Sequence, residues 1–168
     1  AAEHMHMTTE PIEGVYKGMP YLRDMDGYIY IKEEMEGLLM GGFEPMAKTW
    51  GVKGIPENFE YTQLDEDWDQ MDLFIQNAII RVPAFAEAGV TNLTTVPESF
   101  TPDTAYLLGE APGVKNFFVA TGMNSVGITS AGGAGMALAT WIVQGYPEED
   151  LWPVDVRRYS KWQNNLKY

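Results

Sequence analysis

The sequence contains no cysteine. That excludes a disulfide, a thiolate metal site and a cysteine nucleophile, and it fits a reducing compartment. Positive charge is scarce: 11 lysines and arginines stand against 24 aspartates and glutamates, a formal net charge of −13. With no basic stripe to neutralise phosphates, the balance argues against nucleic acid and against an anionic membrane surface. No apolar run is long enough to span a bilayer. The opening AAEHMHMTTEP has neither the basic region nor the apolar core of a signal peptide. Only two histidines occur, His4 and His6. They share one face if residues 3–9 form a strand, but no third ligand is near, so no metal site is expected and a buried or site-lining role is the better reading. Internal repeats, low-complexity segments and the G-x-G-x-x-G fingerprint are also missing.

What is present is enough for a packed core: 168 residues, 45% of them hydrophobic, which excludes a disordered chain. Its most distinctive stretch is NFFVATGMNSVGITSAGGAGMALATWIVQ. Residues 117–120 read as a buried strand, 122–127 as a glycine-punctuated loop and 128–144 as a helix, with Gly145 after its end and Pro147 beyond. Strand, loop and helix in that order point backbone N–H groups at an anionic ligand. Gly132, Gly133 and Gly135 each weaken a helix by up to about 1 kcal/mol. They are tolerable where a backbone or a flat cofactor packs closely, and tight packing alone explains them equally well.

Residues 21–32 read as a hairpin about Asp26-Gly27, the dipeptide favoured in a two-residue type I′ turn. In its second strand Tyr28, Tyr30 and Lys32 point one way, Ile29 and Ile31 the other. A second turn at Glu36-Gly37 leads to a third strand over 38–41, giving a three-stranded antiparallel meander. Tyr30 is so far no more than a core tyrosine. Residues 44–61 read as an ordered loop. The strongest helix spans 65–82, with Trp68, Met71, Phe74, Ile75, Ala78, Ile79 and Val82 at helical spacing. Glu66, Asp67 and Asp69 fall in its first turn, Arg81 near its end, and Pro83 stops or bends it. Residues 90–96 read as a strand and 106–108 as a short one closed by Gly109. Glu98, Asp103 and Glu110 could be general bases, although such carboxylates more often hold a loop by accepting backbone hydrogen bonds. Residues 150–168 show scattered aromatics and read as a docking tail or a linker.

The runs GLLMGGFEP, EDWDQM, AIIRVP, PESFTPD, LLGEAP, GMNSVGI, AGGAG and VDVRRY, in that order and across nearly the whole chain, resemble the flavin-dependent sarcosine and dimethylglycine dehydrogenases of the glycine/D-amino-acid oxidase superfamily. The resemblance implies an FAD enzyme of which this is only part. The Rossmann unit that holds the ADP half of FAD would precede Ala1, a folate-binding module could follow and use tetrahydrofolate, and the chain alone would be inactive. The implied substrate is a small N-methyl amino acid that gives a hydride to flavin N5 and leaves an iminium. The expected location is cytoplasmic, with the mitochondrial matrix as the alternative. The runner-up is a non-catalytic relative of the pyruvate dehydrogenase phosphatase regulatory subunit type.

The resemblance also implies the site. His4 and Tyr30 match an active-site histidine and tyrosine. Gly122, Met123, Asn124, Ser125, Gly127, Ile128 and Thr129 match the segment lining the flavin pyrimidine edge, where loop and helix-start donors can stabilise negative charge on the ring. Monomeric sarcosine oxidases place a lysine at Thr129 and a flavin-linking cysteine near Val96; neither is written here. The expected fold is α+β: an antiparallel or mixed sheet made of the meander, residues 3–9 and residues 90–96, with the 65–82 helix on one face. Residues 1–100 are then a substrate-domain portion, 101–146 the returning part of the FAD domain, and 147–168 a tail or linker. The glycine-rich helix is expected to dock on the rest of the parent chain and, without it, to self-associate through an exposed apolar patch.

Overall fold

In a computed structural model the chain is described over residues 1–163. The last part of the expected tail, residues 164–168, lies outside the described residues. The molecule divides into two compact units, Ala1–Pro97 and a second beginning at Glu98.

The first unit holds the expected α+β arrangement. Strands β1 (Ala2–Thr9), β2 (Leu22–Asp24), β3 (Ile29–Glu34), β4 (Gly37–Gly42) and β5 (Val90–Glu98) form one sheet in the order β2-β3-β4-β1-β5. The β2–β3, β3–β4 and β4–β1 pairs are antiparallel. Alternate residues Met5, Met7, Ile29, Ile31, Leu38 and Met40 are buried on one face, where helix α1 (Trp68–Arg81) covers them with Met71, Phe74 and Ala78.

Both turns of the meander differ from expectation. The first ladder closes at Asp24 opposite Ile29, so four residues make the turn. Its one positive φ is at Tyr28 (61°), not at Asp26 or Gly27. Asp24 decides this: its carboxylate accepts the N–H groups of Asp26 and Gly27 at 3.1 Å each and is ion-paired with Arg81 of α1. The type I′ geometry occurs instead at the second turn. There Glu34 faces Gly37, leaving Met35 (φ 52°) and Glu36 (φ 64°) between them. Gly37 is in the strand, where a Cβ would stand 2.6 Å from the Thr9 carbonyl oxygen.

Helix α1 starts three residues later than its periodicity suggests. Leu64 is taken by a bridge to Thr95 (N–H to O 2.8 Å), and Asp67 is the N-cap, accepting from the Gln70 N–H at 3.0 Å. Glu66 therefore lies outside the first turn, and Asp69 within it. Pro83 ends the helix into a short 3₁₀ turn, Pro83–Ala86. Strand β5 runs past Val96 through Pro97, which is tolerated because β5 is an edge strand.

The second unit pairs β6 (Leu107–Glu110) with β7 (Phe118–Thr121) and carries α2 (Gly127–Gln144). Gly109 lies inside β6 instead of closing it; at φ +117° its bare α-carbon receives the Trp141 ring of α2, which would be 2.6 Å from a Cβ. Gly145 ends α2 in the left-handed conformation, its N–H donating to Trp141 at 2.8 Å. The segment after α2 docks on β6. Leu108 N–H donates to the Val154 carbonyl at 2.8 Å. Arg158 forms an ion pair with Asp103 at 2.7 Å and donates to the Ala105 and Tyr106 carbonyls at 2.5 and 3.1 Å. The Arg158 guanidinium holds the Asp103 carboxyl well below the usual carboxylate range.

Candidate functional site

The first unit presents the sheet face opposite α1. Register places Arg23 opposite Tyr30, Tyr30 opposite Gly41, and Gly41 opposite His6, so the three side chains form one row across β2, β3, β4 and β1. Gly41 is what lets the row close. A Cβ there would lie 2.5 Å from Tyr30 Cζ, nearer still to its hydroxyl, and 3.1 Å from His6 Cβ. The Tyr30 ring thus lies across bare backbone with its hydroxyl directed to the β4–β1 seam.

Phe43, just beyond β4, is the hub of this face. Its ring centre is 5.0 Å from that of His4 and 6.1 Å from that of Tyr30, and the Arg23 guanidinium carbon stands 5.5 Å above it. Tyr21 stacks on the outer side of Tyr30, 6.1 Å between centres. His4 is buried and His6 half-buried. Burial, then the neighbouring His4 and Lys32, push the His6 pKa below its ordinary value, so His6 is a neutral imidazole that can accept a proton or a hydrogen bond. Of the residues read from the sequence, His4 and Tyr30 therefore meet here through Phe43. Phe43 and Arg23 were not singled out as site residues.

The second unit holds the glycine loop, which is braced from below by the PESFTPD segment. Asn124 carries the bracing: its Oδ1 accepts from the Thr101 N–H at 2.8 Å, its Nδ2 donates to the Gly122 carbonyl at 2.5 Å, and its own N–H donates to Ser99 at 3.2 Å. Asn124 (φ 48°), Ser125 (φ 62°) and Gly122 (φ 62°) take left-handed backbone. At Gly122 a Cβ would also press on Thr101 Cγ2 at 2.8 Å. Ser125 Oγ donates to the Glu98 carboxylate. Glu98, Glu110 (from Asn116 N–H, 2.6 Å) and Asp103 (from Ala105 N–H, 3.2 Å) all brace loops, the plainer of the two roles open to them.

Helix α2 begins at Gly127, and no side chain caps its first N–H groups, those of Gly127, Ile128 and Thr129. Ile128 is 99% exposed, and Met123 is half-buried. The α2 glycines show no tight packing: a Cβ at Gly132, Gly133 or Gly135 would meet nothing within 4 Å. Ala134 and Trp141 bury one side of α2. The other carries Ile128, Met136, Ile142 and Val143, all exposed, and the helix holds no charged residue. A helix apolar on every side belongs in an interior. Among the described residues no cluster of histidine and carboxylate side chains could hold a metal, and no helix is long and apolar enough to cross a membrane.

The family described as FAD dependent oxidoreductase matches residues 1–141. Mouse (Mus musculus) mitochondrial sarcosine dehydrogenase is 40% identical over 95% of the chain and 17% of its own length. The 4-methylaminobutanoate oxidase (formaldehyde-forming) of Paenarthrobacter nicotinovorans is 40% identical over 100% of the chain and 20% of its own. Mouse mitochondrial pyruvate dehydrogenase phosphatase regulatory subunit is 38% identical over 100% and 19%. The chain thus spans about a fifth of the length of these curated relatives. Among solved structures, L-proline dehydrogenase from P.horikoshii shares the fold at TM-score 0.73, with 17% identity over 93% of this chain and 39% of its own. Glycine oxidase from Geobacillus kaustophilus does so at 0.71, with 19% identity over 95% and 39%.

Proposed function

The chain belongs to the FAD dependent oxidoreductase family, and from that premise we propose that it is the substrate-facing portion of a larger flavoenzyme that oxidatively demethylates a small N-methyl amino acid, sarcosine or dimethylglycine. The observation that carries the reading is the Phe43 hub, which gathers His4, Tyr30 and Arg23 on one sheet face beside a neutral His6.

The loop residues fit a flavin edge. Uncapped N–H groups at Gly127, Ile128 and Thr129 suit an electron-rich carbonyl edge, and the bare backbone of Gly132, Gly133 and Gly135 suits close approach of a flat group. Bound there, the flavin supplies the hydride acceptor. This chain's residues prepare the amine. Only the neutral amine has the lone pair that drives hydride loss, so an ammonium must first give up its proton. His6, kept neutral by burial, can receive that proton and pass it to solvent, while the Tyr30 hydroxyl can hold the amine by a hydrogen bond. Phe43 and Tyr21 give the methyl groups an apolar wall.

The test is anaerobic reduction of the full-length protein. Sarcosine or dimethylglycine should bleach the flavin absorbance, and Tyr30→Phe should slow bleaching about tenfold, the value of one hydrogen bond to a charged group. An unchanged rate removes Tyr30 from the chemistry. The 38% identity with the regulatory subunit over the whole chain favours a second reading, a non-catalytic binding protein; it expects no bleaching by any N-methyl amino acid.

The exposed side of α2 is, in this reading, where the rest of the parent polypeptide packs, including its nucleotide-binding part. The isolated chain should then self-associate. A sedimentation series should show mass rising with concentration, and a clean monomer at high concentration counts against it. For the compartment we keep the cytoplasm, with the mitochondrial matrix as alternative; the mouse relatives are mitochondrial proteins.

A further inference from the structure

We infer that Arg158 is a positioning residue for the glycine loop: through Asp103, Ala105 and Thr101 it holds Asn124, and so fixes the aim of the uncapped N–H groups of Gly127, Ile128 and Thr129. The inference rests on the reading above, in which those N–H groups meet the flavin edge. The loop needs holding. Asn124 (φ 48°) and Ser125 (φ 62°) both take left-handed backbone, which side chains disfavour and which persists only while the surroundings over-determine it. The surroundings that do so are residues 98–105. Thr101 N–H donates to Asn124 Oδ1 at 2.8 Å, the Ser99 carbonyl accepts the Asn124 N–H at 3.2 Å, and Glu98 accepts from Ser125 Oγ. Yet residues 99–106 belong to no helix or strand, so no ladder fixes them in turn.

Arg158 does. Its Nε donates to one Asp103 carboxylate oxygen at 2.7 Å and its Nη2 to the other at 3.0 Å. Nη2 also donates to the Ala105 carbonyl at 2.5 Å, and Nη1 to the Tyr106 and Asp155 carbonyls at 3.1 and 3.2 Å. The Ala105 carbonyl accepts in addition from the Thr101 hydroxyl at 2.8 Å, and the Ala105 N–H donates to Asp103 at 3.2 Å. Thr101, only 9% exposed, is thus gripped from one side by the residue Arg158 holds and grips Asn124 on the other. Arg158 is itself anchored, because the segment before it is joined to β6 by the Leu108 N–H to Val154 bond and the Leu108–Asp155 bridge. The planar fork is what reaches all these acceptors at once; a lysine ammonium carries the charge but not the fork. The neighbouring Arg157 is spent locally, on Asp155 two residues away and over the Trp141 ring at 5.3 Å.

The consequence is electrochemical. Helix-start N–H donors stabilise a ring carrying negative charge more than a neutral one, so a loosened loop weakens binding of reduced flavin more than of oxidised. The experiment is a dye-linked reductive titration of the full-length protein, which needs no amine substrate. In Arg158→Gln and in Arg158→Lys the ratio of reduced to oxidised FAD affinity should fall about tenfold, a drop of about 30 mV in the two-electron midpoint potential. Equal shifts in the two variants assign the effect to the fork and not to the charge. Arg157→Gln, which removes a charge next door, should change the ratio less than about twofold, as a screened exposed charge does. Asn124→Ala should lower the potential as far as Arg158→Gln does, and the double variant no further, since the two residues act on one path. In FAD-free protein the Thr101 and Asn124 amides should exchange about tenfold faster in Arg158→Lys, a readout that stands even where a variant holds flavin poorly. A lowered melting temperature with unchanged potential makes Arg158 merely structural and overturns the proposal. So does unchanged amide exchange, or additive shifts in the double variant. An unchanged potential in Asn124→Ala removes the loop from the flavin altogether. Should sarcosine fail to bleach the wild-type flavin, the demethylase reading falls, and the potentials still decide Arg158.

Discussion

Replacing Gly41 by alanine in the full-length protein should lower flavin reduction by N-methyl amino acids about a hundredfold, the scale on which a misplacement near 1 Å acts. The cause is steric and local. The new methyl group would sit 2.5 Å from Tyr30 Cζ and 3.1 Å from His6 Cβ, and closer yet to the Tyr30 hydroxyl. Backbone on both sides is fixed by the β3–β4 and β1–β4 ladders, so the ring must move. Tyr30 is only half-buried, so it can swing away from the seam at small cost. An alanine in a strand is also favoured over glycine by about 0.5–1 kcal/mol, which offsets part of the repacking. Activity should therefore collapse while the melting temperature barely changes.

The effect should exceed that of Tyr30→Phe, since phenylalanine keeps the ring in place and loses only the hydroxyl. A useful contrast is Gly37→Ala, whose methyl would meet the main-chain carbonyl oxygens of Thr9 and Glu10 at 2.6 and 2.8 Å. No side-chain rotation relieves that clash, so it should cost stability first. Reduction at the wild-type rate by Gly41→Ala would show that the placement of Tyr30 over β4 is irrelevant to the chemistry.

Much of this site follows from strand register, and the sequence carried part of that register. A turn centred between Asp26 and Gly27 already puts Arg23 opposite Tyr30, and the observed pairing keeps that centre although the ladder closes one pair earlier. The second turn did not transfer. A turn at Glu36-Gly37 would set Tyr30 opposite Phe43, whereas the turn at Met35 and Glu36 sets it opposite Gly41. Local composition favours glycine inside a turn; the long-range fit of Gly37 beneath the Thr9 carbonyl outweighs it. Face was legible in either case, because a shift of two in pairing keeps alternation intact. The Phe43 hub was not, because it depends on β1 pairing with β4, segments over 30 residues apart that no local period connects. The α1 start and the Val154–Arg158 docking were hidden for the same reason. Leu64 is drawn into a bridge with Thr95, and Arg158 into a pair with Asp103, both of them tertiary choices. The order strand, loop, helix in the second unit was legible because its glycines and apolar run are local signals, but the strand expected to be buried over 117–120 is Phe118–Thr121, with none of its residues buried and Phe117 exposed before it.

Truncating Phe74 to alanine should give the largest stability loss of any single change in the first unit, about 3–5 kcal/mol. Phe74 has no solvent exposure, and its ring stands against the bare α-carbon of Gly42, where a Cβ would lie 2.5 Å from both Cδ1 and Cε1. Large and small residues interlock at that point, so neither can change alone. Collapse around the lost ring is blocked on the sheet side by the β3–β4 ladder, which runs through Gly42 opposite Ile29. It is blocked on the helix side by Met71 and Ala78, themselves fully buried. The cavity term should therefore remain nearly whole. Set against a total of about 5–15 kcal/mol for a domain, the loss should lower the thermal midpoint of the chain by more than about 10 °C in circular dichroism. Function should follow stability here, the reverse of Gly41→Ala. Gly42 is the residue between Gly41 and Phe43, so removing its support loosens the strand that carries the hub on its opposite face. A Phe74→Ala chain melting within a few degrees of wild type would mean that α1 is not what holds the sheet, and that the site's geometry is fixed by the strand pairing alone.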